Sequence, residues 1–285
     1  MKSPWITYIR ERFPLPTFFA LVGGLSLSGI YLHGGPFQWL PFLVSFIGVL
    51  FFFALWRLMD DVKDLDKDRL AHPQRPLPRG LISRLEAARI VDVSQVFLFA
   101  YSLVVWVLLY NPAAAIAYAA LAVYLWLINR DFGQESFFGA RPMIRGIAQE
   151  LVAFPIAFFV ASVSNPEAFA SPAVWSFGLM LFGAFLTYEI CRKLDPRAHP
   201  ILANYIHFYG FRHGFEMAAI ALAVSAMGAI SLYLEALLIP CEVIVLLSMS
   251  LLFFQPAWYR LPEVAASISL MAHAWGIVIH YFIKH

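Results

Sequence analysis

The chain has 285 residues, of which 61% are hydrophobic and 13% charged, with a net charge of +2 and a mean hydropathy of +0.73. The charged share is about half that of a soluble domain, which excludes a water-soluble single-core protein; a bundle of membrane helices does need this much apolar surface. The near-zero net charge selects no partner, and no nucleic acid is expected as one.

Apolar runs long enough to span a bilayer as helix, about 20 residues each, predict nine spans, at 15–32, 38–59, 90–110, 112–128, 143–163, 173–190, 211–231, 235–254 and 263–283. The first run follows basic residues but is long and ends without an A-x-A-like cleavage site, so it reads as a span and not as a removed signal. Only Asn111-Pro112 separates the third and fourth, which predicts a tight helical hairpin. The fifth carries Gln149, Glu150 and Pro155 and is expected to kink or to face a cavity. No repeat and no separate soluble segment is visible, so residues 1–285 read as one transmembrane domain. Cys191 and Cys241 fall at opposite ends of apolar segments and are expected to stay unpaired.

Charge divides the loops into two sets. One holds Lys63, Lys67, Arg69, Arg75, Arg79 and Arg84, then Arg130, Arg141 and Arg145, then Arg192, Lys193 and Arg197, then Arg260, and shares its side with Lys2, Arg10 and Arg12. The other set, residues 32–37, 110–112, 164–172 and 232–234, has no Lys or Arg; Lys284 alone breaks the pattern. The positive-inside rule puts the basic loops and the N-terminus in the cytoplasm.

After the second span, Asp60, Asp61, Asp64, Asp66 and Asp68 fall within nine residues. If the helix runs on, Asp61, Asp64 and Asp68 occupy i, i+3 and i+7 and share a face, with Asp60 beside them. Such a face repels itself unless cations neutralise it. Mg²⁺ suits it, because that ion takes one or two carboxylates and leaves its other positions to water and phosphate. Three blander readings compete: a solvated acidic loop, a calcium loop, or Lys–Asp pairs along the helix. The calcium loop lacks Gly at its sixth position and has Arg75 at its twelfth.

The continuation Arg75-Pro76-Leu77-Pro78-x-Gly80 favours the metal reading. With Asp60-Asp61-x-x-Asp64-x-x-x-Asp68-Arg69 before it, the sequence resembles the UbiA-type intramembrane prenyltransferases, with Asp60 where many members have Asn. The resemblance implies an all-α protein of nine transmembrane helices around a central cavity. It implies Mg²⁺ as cofactor, an isoprenoid diphosphate and a lipophilic acceptor as partners, and prenyl transfer within the membrane. On this reading Asp60, Asp61, Asp64 and Asp68 hold metal, and Arg57, Lys67, Arg69 and Arg75 are the candidate diphosphate partners, Arg75 foremost. Departure of diphosphate leaves an allylic cation that a dry apolar cavity protects.

The family's second acidic motif should follow the sixth span. Here the chain reads Tyr188-Glu189-Ile-Cys-Arg192-Lys193-Leu-Asp195-Pro196. Glu189 and Asp195 are the thin carboxylate remnant and, by the resemblance, further candidate metal ligands, with Arg192 and Lys193 in the intervening space as candidate diphosphate partners and Lys193 also a candidate catalytic residue beside Asp61, Asp64 and Asp68. A one-sided metal site with Arg192 and Lys193 on the diphosphate, a loss of activity, or a Glu189–Lys193 pair that anchors the helix end each fit. Of the polar residues inside spans, Gln149 and Glu150 are candidates for an acceptor pocket, whereas Glu216 reads as a structural partner of Arg212. Glu242, His207, His213, His273 and His280 read as packed or interfacial side chains. Gly23-Gly24 and Gly183 are expected to allow close helix packing. Competing functions are a terpene cyclase on the same scaffold, transfer of a phosphorylated sugar to a lipid phosphate, and a non-catalytic transporter or lipid-binding protein.

Overall fold

A computed structural model describes residues 3–202 and 204–284, and every regular element among them is helical. Lys2, counted above with the basic N-terminal flank, lies outside the described residues. The helices are α1 (Pro4–Arg12), α2 (Leu15–Tyr31), α3 (Trp39–Lys63), α4 (Leu65–Ala71), α5 (Arg84–Leu109), α6 (Pro112–Asn129), α7 (Glu135–Gly139), α8 (Pro142–Glu150), α9 (Ala153–Ser162), α10 (Pro172–Arg192), α11 (Tyr205–Ser231), α12 (Glu235–Ser250) and α13 (Arg260–Lys284). Eight helical segments are long and apolar enough to cross a membrane, and the count reaches nine with the α1–α2 pair, whose axes bend 61° apart. The protein is an integral membrane protein, and the expected spans each find their helix.

The boundaries differ where polar residues extend a helix beyond its apolar window. α5 starts at Arg84, six residues before the expected span, because Ser83 caps it: its Oγ accepts from the Glu86 amide at 3.1 Å. Ser83-x-x-Glu86 is the spacing of a capping box. The Asn111-Pro112 hairpin forms as expected. Tyr110 takes a left-handed conformation, Pro112 opens α6, and Asn111 accepts from the Ala114 amide while its side-chain amide donates to the Ser162 carbonyl. The fifth span breaks between α8 and α9 at Leu151–Val152, directly after Glu150.

α10 is the most enclosed span, packed among α8, α9, α11 and α13. Gly183 and Gly228 let α10 and α11 touch backbone to backbone. A Cβ at Gly183 would collide with the Ala221 carbonyl and the Ser225 amide, and one at Gly228 with the Ser176 carbonyl and the Met180 amide. Ser225 Oγ donates to the Met180 carbonyl at 3.0 Å across the same crossing. Gly24 accepts the Trp275 indole and Ala274 carbonyl of α13 in the same way. α5, in contrast, turns Val93, Val96, Phe97, Leu103, Trp106 and Val107 outward, as a lipid-facing helix must.

Two buried carboxylates, Glu242 and Asp131, tie the frame together. Glu242 of α12 meets His273 Nε2 of α13 at 3.0 Å, and His273 Nδ1 lies 2.6 Å from the Ser269 carbonyl. Buried Asp131 joins Lys63 at the end of α3 (2.7 Å) to Arg145 of α8 (3.0 Å), from a turn whose Asp131, Phe132 and Gly133 all have positive φ. Non-glycine residues in that region cost free energy; here a doubly paired carboxylate holds them there. Arg212 and Glu216 form an exposed pair at 3.0 Å, and Cys191 and Cys241 are free thiols, as expected for all four.

Candidate active site

The ends of α3 and α10 meet α1, α4, the start of α13 and the α10–α11 loop around a cavity of about 770 Å³. Its wall carries Asp60, Asp61, Asp64, Asp68, Asp195 and Glu263 among Arg12, Arg57, Arg75, Arg192, Lys193 and Arg197, with His72, His199 and Asn204. Basic residues of α1, of the loop after α4 and of the α10–α11 loop thus gather at one cavity.

The first acidic motif does not lie on one continuous helix. α3 ends at Lys63, Asp64 leaves helical geometry at φ −90°, ψ 9°, and α4 begins at Leu65. The break lets α4 fold across the bundle end while the Asp64 amide still reaches the Asp60 carbonyl and the Asp68 amide the Asp64 carbonyl. Asp61, Asp64 and Asp68 therefore reach one cavity across a kink. Asp66 points outward to Arg69 and Arg84.

Two of the motif carboxylates are held by arginines. Arg12 grips buried Asp61 with both ends of its fork, Nε–Oδ2 at 2.9 Å and a terminal nitrogen to Oδ1 at 2.6 Å. Tyr8, one turn earlier on α1, donates its hydroxyl to Asp61 Oδ2 at 2.9 Å, and Arg57 stands 3.5 Å from Oδ1. Arg75 donates to both oxygens of buried Asp68 at 2.7 Å. Asp64 has only the half-exposed Lys67, at 3.2 Å, and Asp60 has no ion-pair partner among the described residues.

At the second motif Glu189 is buried and bound by both basic neighbours, Arg192 at 2.6 Å and Lys193 at 2.5 Å. The pair is not on the outer surface. Arg192 and Lys193 line the polar cavity, and Glu189 lines a second chamber of about 450 Å³ that shares Arg12, Arg57, Asp60 and Arg192 with the first. This chamber is the more apolar one, walled by Phe18, Leu21, Phe53, Trp56, Phe185, Tyr188, Leu270 and Met271, with the carboxyl of Glu150 among them. A charged vestibule thus opens onto an apolar room at the depth of Asp60.

Among the residues expected from sequence, Lys67 and Arg69 do not line either space; each forms an i,i+3 pair, with Asp64 and Asp66. Gln149 is half-buried outside both linings, unlike its neighbour Glu150. Asp195 lines the polar cavity and also accepts the Arg197 amide at 2.8 Å, which folds the loop after α10. Sequence reasoning missed Arg12 and Tyr8. Their i,i+4 spacing beside an acidic motif on the same side was the available signal. It missed His72 as well, whose imidazole is held below its ordinary 6.5 by burial and then by Arg75.

Among the described residues no three His, Cys, Asp or Glu side chains converge as a ready-made metal cage. The donor set fits Mg²⁺ in another way: Asp60 and Asp64 present carboxylates that no arginine holds, the one-or-two-carboxylate arrangement of an ion that completes its shell with phosphate and water.

The profile of the UbiA prenyltransferase family matches residues 18–277. Among solved structures, a UbiA homologue from Aeropyrum pernix K1 superposes with a TM-score of 0.65 at 18% identity, over 93% of this chain and 98% of its own. A chain solved in work on digeranylgeranylglyceryl phosphate synthase in membranes superposes with a TM-score of 0.60 at 19% identity, over 97% of this chain and 99% of its own. At that identity the likeness is one of fold. No curated protein matches the chain.

Proposed function

This chain belongs to the UbiA prenyltransferase family, and on that premise we propose that it transfers a prenyl group from an isoprenoid diphosphate to a lipophilic acceptor inside the membrane. The observation that carries the reading is the joined pair of spaces, one lined by both signs of charge and one by aromatic and aliphatic side chains. A prenyl diphosphate has the same two halves.

Arg57, Arg75, Arg192 and Lys193 bind the diphosphate oxygens, and Arg12 and Arg197 extend the cationic wall. Asp60 and Asp64 would hold Mg²⁺, with Asp61 and Asp68 available once Arg12 and Arg75 turn to phosphate; the ion would supply positive charge to neutralise the leaving diphosphate. The C–O bond breaks with its electron pair going to diphosphate, and the allylic cation stays in the apolar chamber. Phe18, Phe53, Trp56 and Phe185 exclude water there and offer ring faces to positive charge. The acceptor attacks the cation and loses a proton, for which the Glu150 carboxyl in the chamber wall is the candidate acceptor. The positive-inside rule sets the vestibule on the cytoplasmic side.

The test is product analysis. Purified protein in detergent with Mg²⁺ is given labelled geranyl, farnesyl and geranylgeranyl diphosphates with a membrane lipid extract. Pyrophosphate release with label in a new, heavier lipid supports transfer. Label in a cyclic hydrocarbon without any acceptor replaces it with cyclisation. No pyrophosphate release from any donor removes the enzymatic reading.

A further inference from the structure

Tyr205 opens α11, is fully enclosed, and has no hydrogen-bond partner for its hydroxyl among the described residues. Buried phenols ordinarily find one, and an unpaired buried hydroxyl is costly. The ring of Tyr205 is better employed than its oxygen. Lys193 Nζ stands 4.8 Å from the ring centroid while it pairs with Glu189 Oε1. Lys193 is the residue at which α10 stops, at φ −94°, ψ 11°, so no following helical turn fixes its long side chain. Behind Tyr205 lies Gly146 of α8. A Cβ at Gly146 would run into the Tyr205 hydroxyl oxygen, whereas the ring carbon bearing it stands 3.4 Å off. One turn on, the Tyr209 hydroxyl accepts from the Met143 amide at 3.3 Å, so the start of α11 is seated on α8 at two points.

We propose that Tyr205 is a positioning residue for the diphosphate site: with its hydroxyl tip seated against Gly146, its ring face holds the Lys193 ammonium at the cavity wall between Glu189 and the incoming phosphate oxygens. The inference rests on the reading of that cavity as a diphosphate site. A free lysine samples many rotamers and loses that freedom on binding. An ammonium already resting on an aromatic face, with a carboxylate on one side, has surrendered it in advance and keeps one side open to a second anion.

The test is calorimetric binding of inorganic pyrophosphate with Mg²⁺ to the full-length protein in detergent. Lys193→Ala sets the scale and is expected to weaken binding about tenfold, the effect of losing one charge-assisted contact. Tyr205→Phe keeps the ring face and is expected to stay within about twofold of the native protein. Phenylalanine analogues with one, two and three ring fluorines at position 205 keep the shape but drain the face of negative charge, and are expected to weaken binding stepwise toward the Lys193→Ala level. A flat fluorine series beside a weakened Lys193→Ala overturns the positioning role and leaves the diphosphate reading standing. Native-like binding by Lys193→Ala overturns the positioning role by removing Lys193 from the site, and absence of pyrophosphate binding by the native protein overturns the diphosphate reading itself. Seating is tested separately by melting temperature. Gly146→Ala is expected to lower it, and Gly146→Ala with Tyr205→Phe to restore it, because the collision is with the hydroxyl; failure to restore removes Gly146 from the account.

Discussion

The two carboxylate sites at the vestibule are both neutralised by arginine or lysine, and they are neutralised in opposite ways. At the first, the closest cations on Asp61 and Asp68 come from outside their own helices, Arg12 from α1 and Arg75 from the loop beyond α4, while local Arg57 and Lys67 stand farther off, at 3.5 and 3.2 Å from Asp61 and Asp64. At the second, Glu189 is satisfied within a single turn by Arg192 and Lys193. A partner held at long range by tertiary packing can be exchanged for another ligand, whereas a local pair moves as one unit. On the function proposed above, the first site would trade its cations for metal and the second would present cations to phosphate. What looks in sequence like a decayed second acidic motif becomes a basic one with Glu189 as its internal counterion.

The comparison breaks most easily at the metal. Chelation with EDTA is expected to abolish pyrophosphate binding, and Asp64→Ala or Asp60→Ala to cut turnover about a hundredfold or more, because bare diphosphate and these carboxylates repel. Unchanged binding in EDTA, measured by calorimetry, removes the division of labour. Next in size is Glu189→Gln, which strands two cations beside a buried site. It should cost about 2 kcal/mol of stability, less than for a fully buried pair because Arg192 is 43% and Lys193 24% exposed. Detergent-phase melting reads this, and pyrophosphate affinity should hold or rise; a loss as large as that of the first-motif variants would mean Glu189 binds metal instead. Arg12→Ala should tighten Mg²⁺ binding about fivefold by removing a competitor for Asp61, and weaker Mg²⁺ binding would make Arg12 a support rather than a placeholder.

The smallest effect belongs to His72. Its folded pKa lies below the ordinary 6.5, so the stability it contributes is present above that value and is lost as pH falls through the folded pKa. Melting temperature should drift down slightly below pH 6.5, and His72→Gln should flatten the drift. An identical drift in the variant assigns it to another group.

The spans, the hairpin at Asn111-Pro112 and the break after Glu150 were legible because each is a local matter of hydropathy, capping or proline. The convergence of Asp61, Asp64 and Asp68 was legible from spacing, although the geometry that delivers it was not: whether a helix runs through Asp64 depends on α4 finding a place to pack. Arg12 was visible only as part of a basic flank, since its partner is 49 residues away and no periodicity connects them. Lys67 and Arg69 were misplaced for the converse reason. Charges within an acidic stretch look like ligands for whatever the stretch binds, and here the turn points them at Asp64 and Asp66 instead. The Ser83-x-x-Glu86 cap was readable and shifts the start of α5; the turn at Asp131 was not, because nothing in the residue types Asp-Phe demands positive φ.

The kink at Asp64 also bears on how the protein is made. α3 delivers the negative end of its dipole to the same point as Asp60 and Asp61, so the finished bundle end would repel itself during insertion if it had to wait for metal. Arg12 and Tyr8 are synthesised before any of these carboxylates and lie on α1, outside the long spans. They can receive Asp61 as soon as the first hairpin of the nascent chain, α2 with α3, enters the bilayer. The chain thus carries its own counterions into biogenesis, and its assembly should proceed to a protease-resistant form with Mg²⁺ chelated, while an Arg12→Ala nascent chain should not.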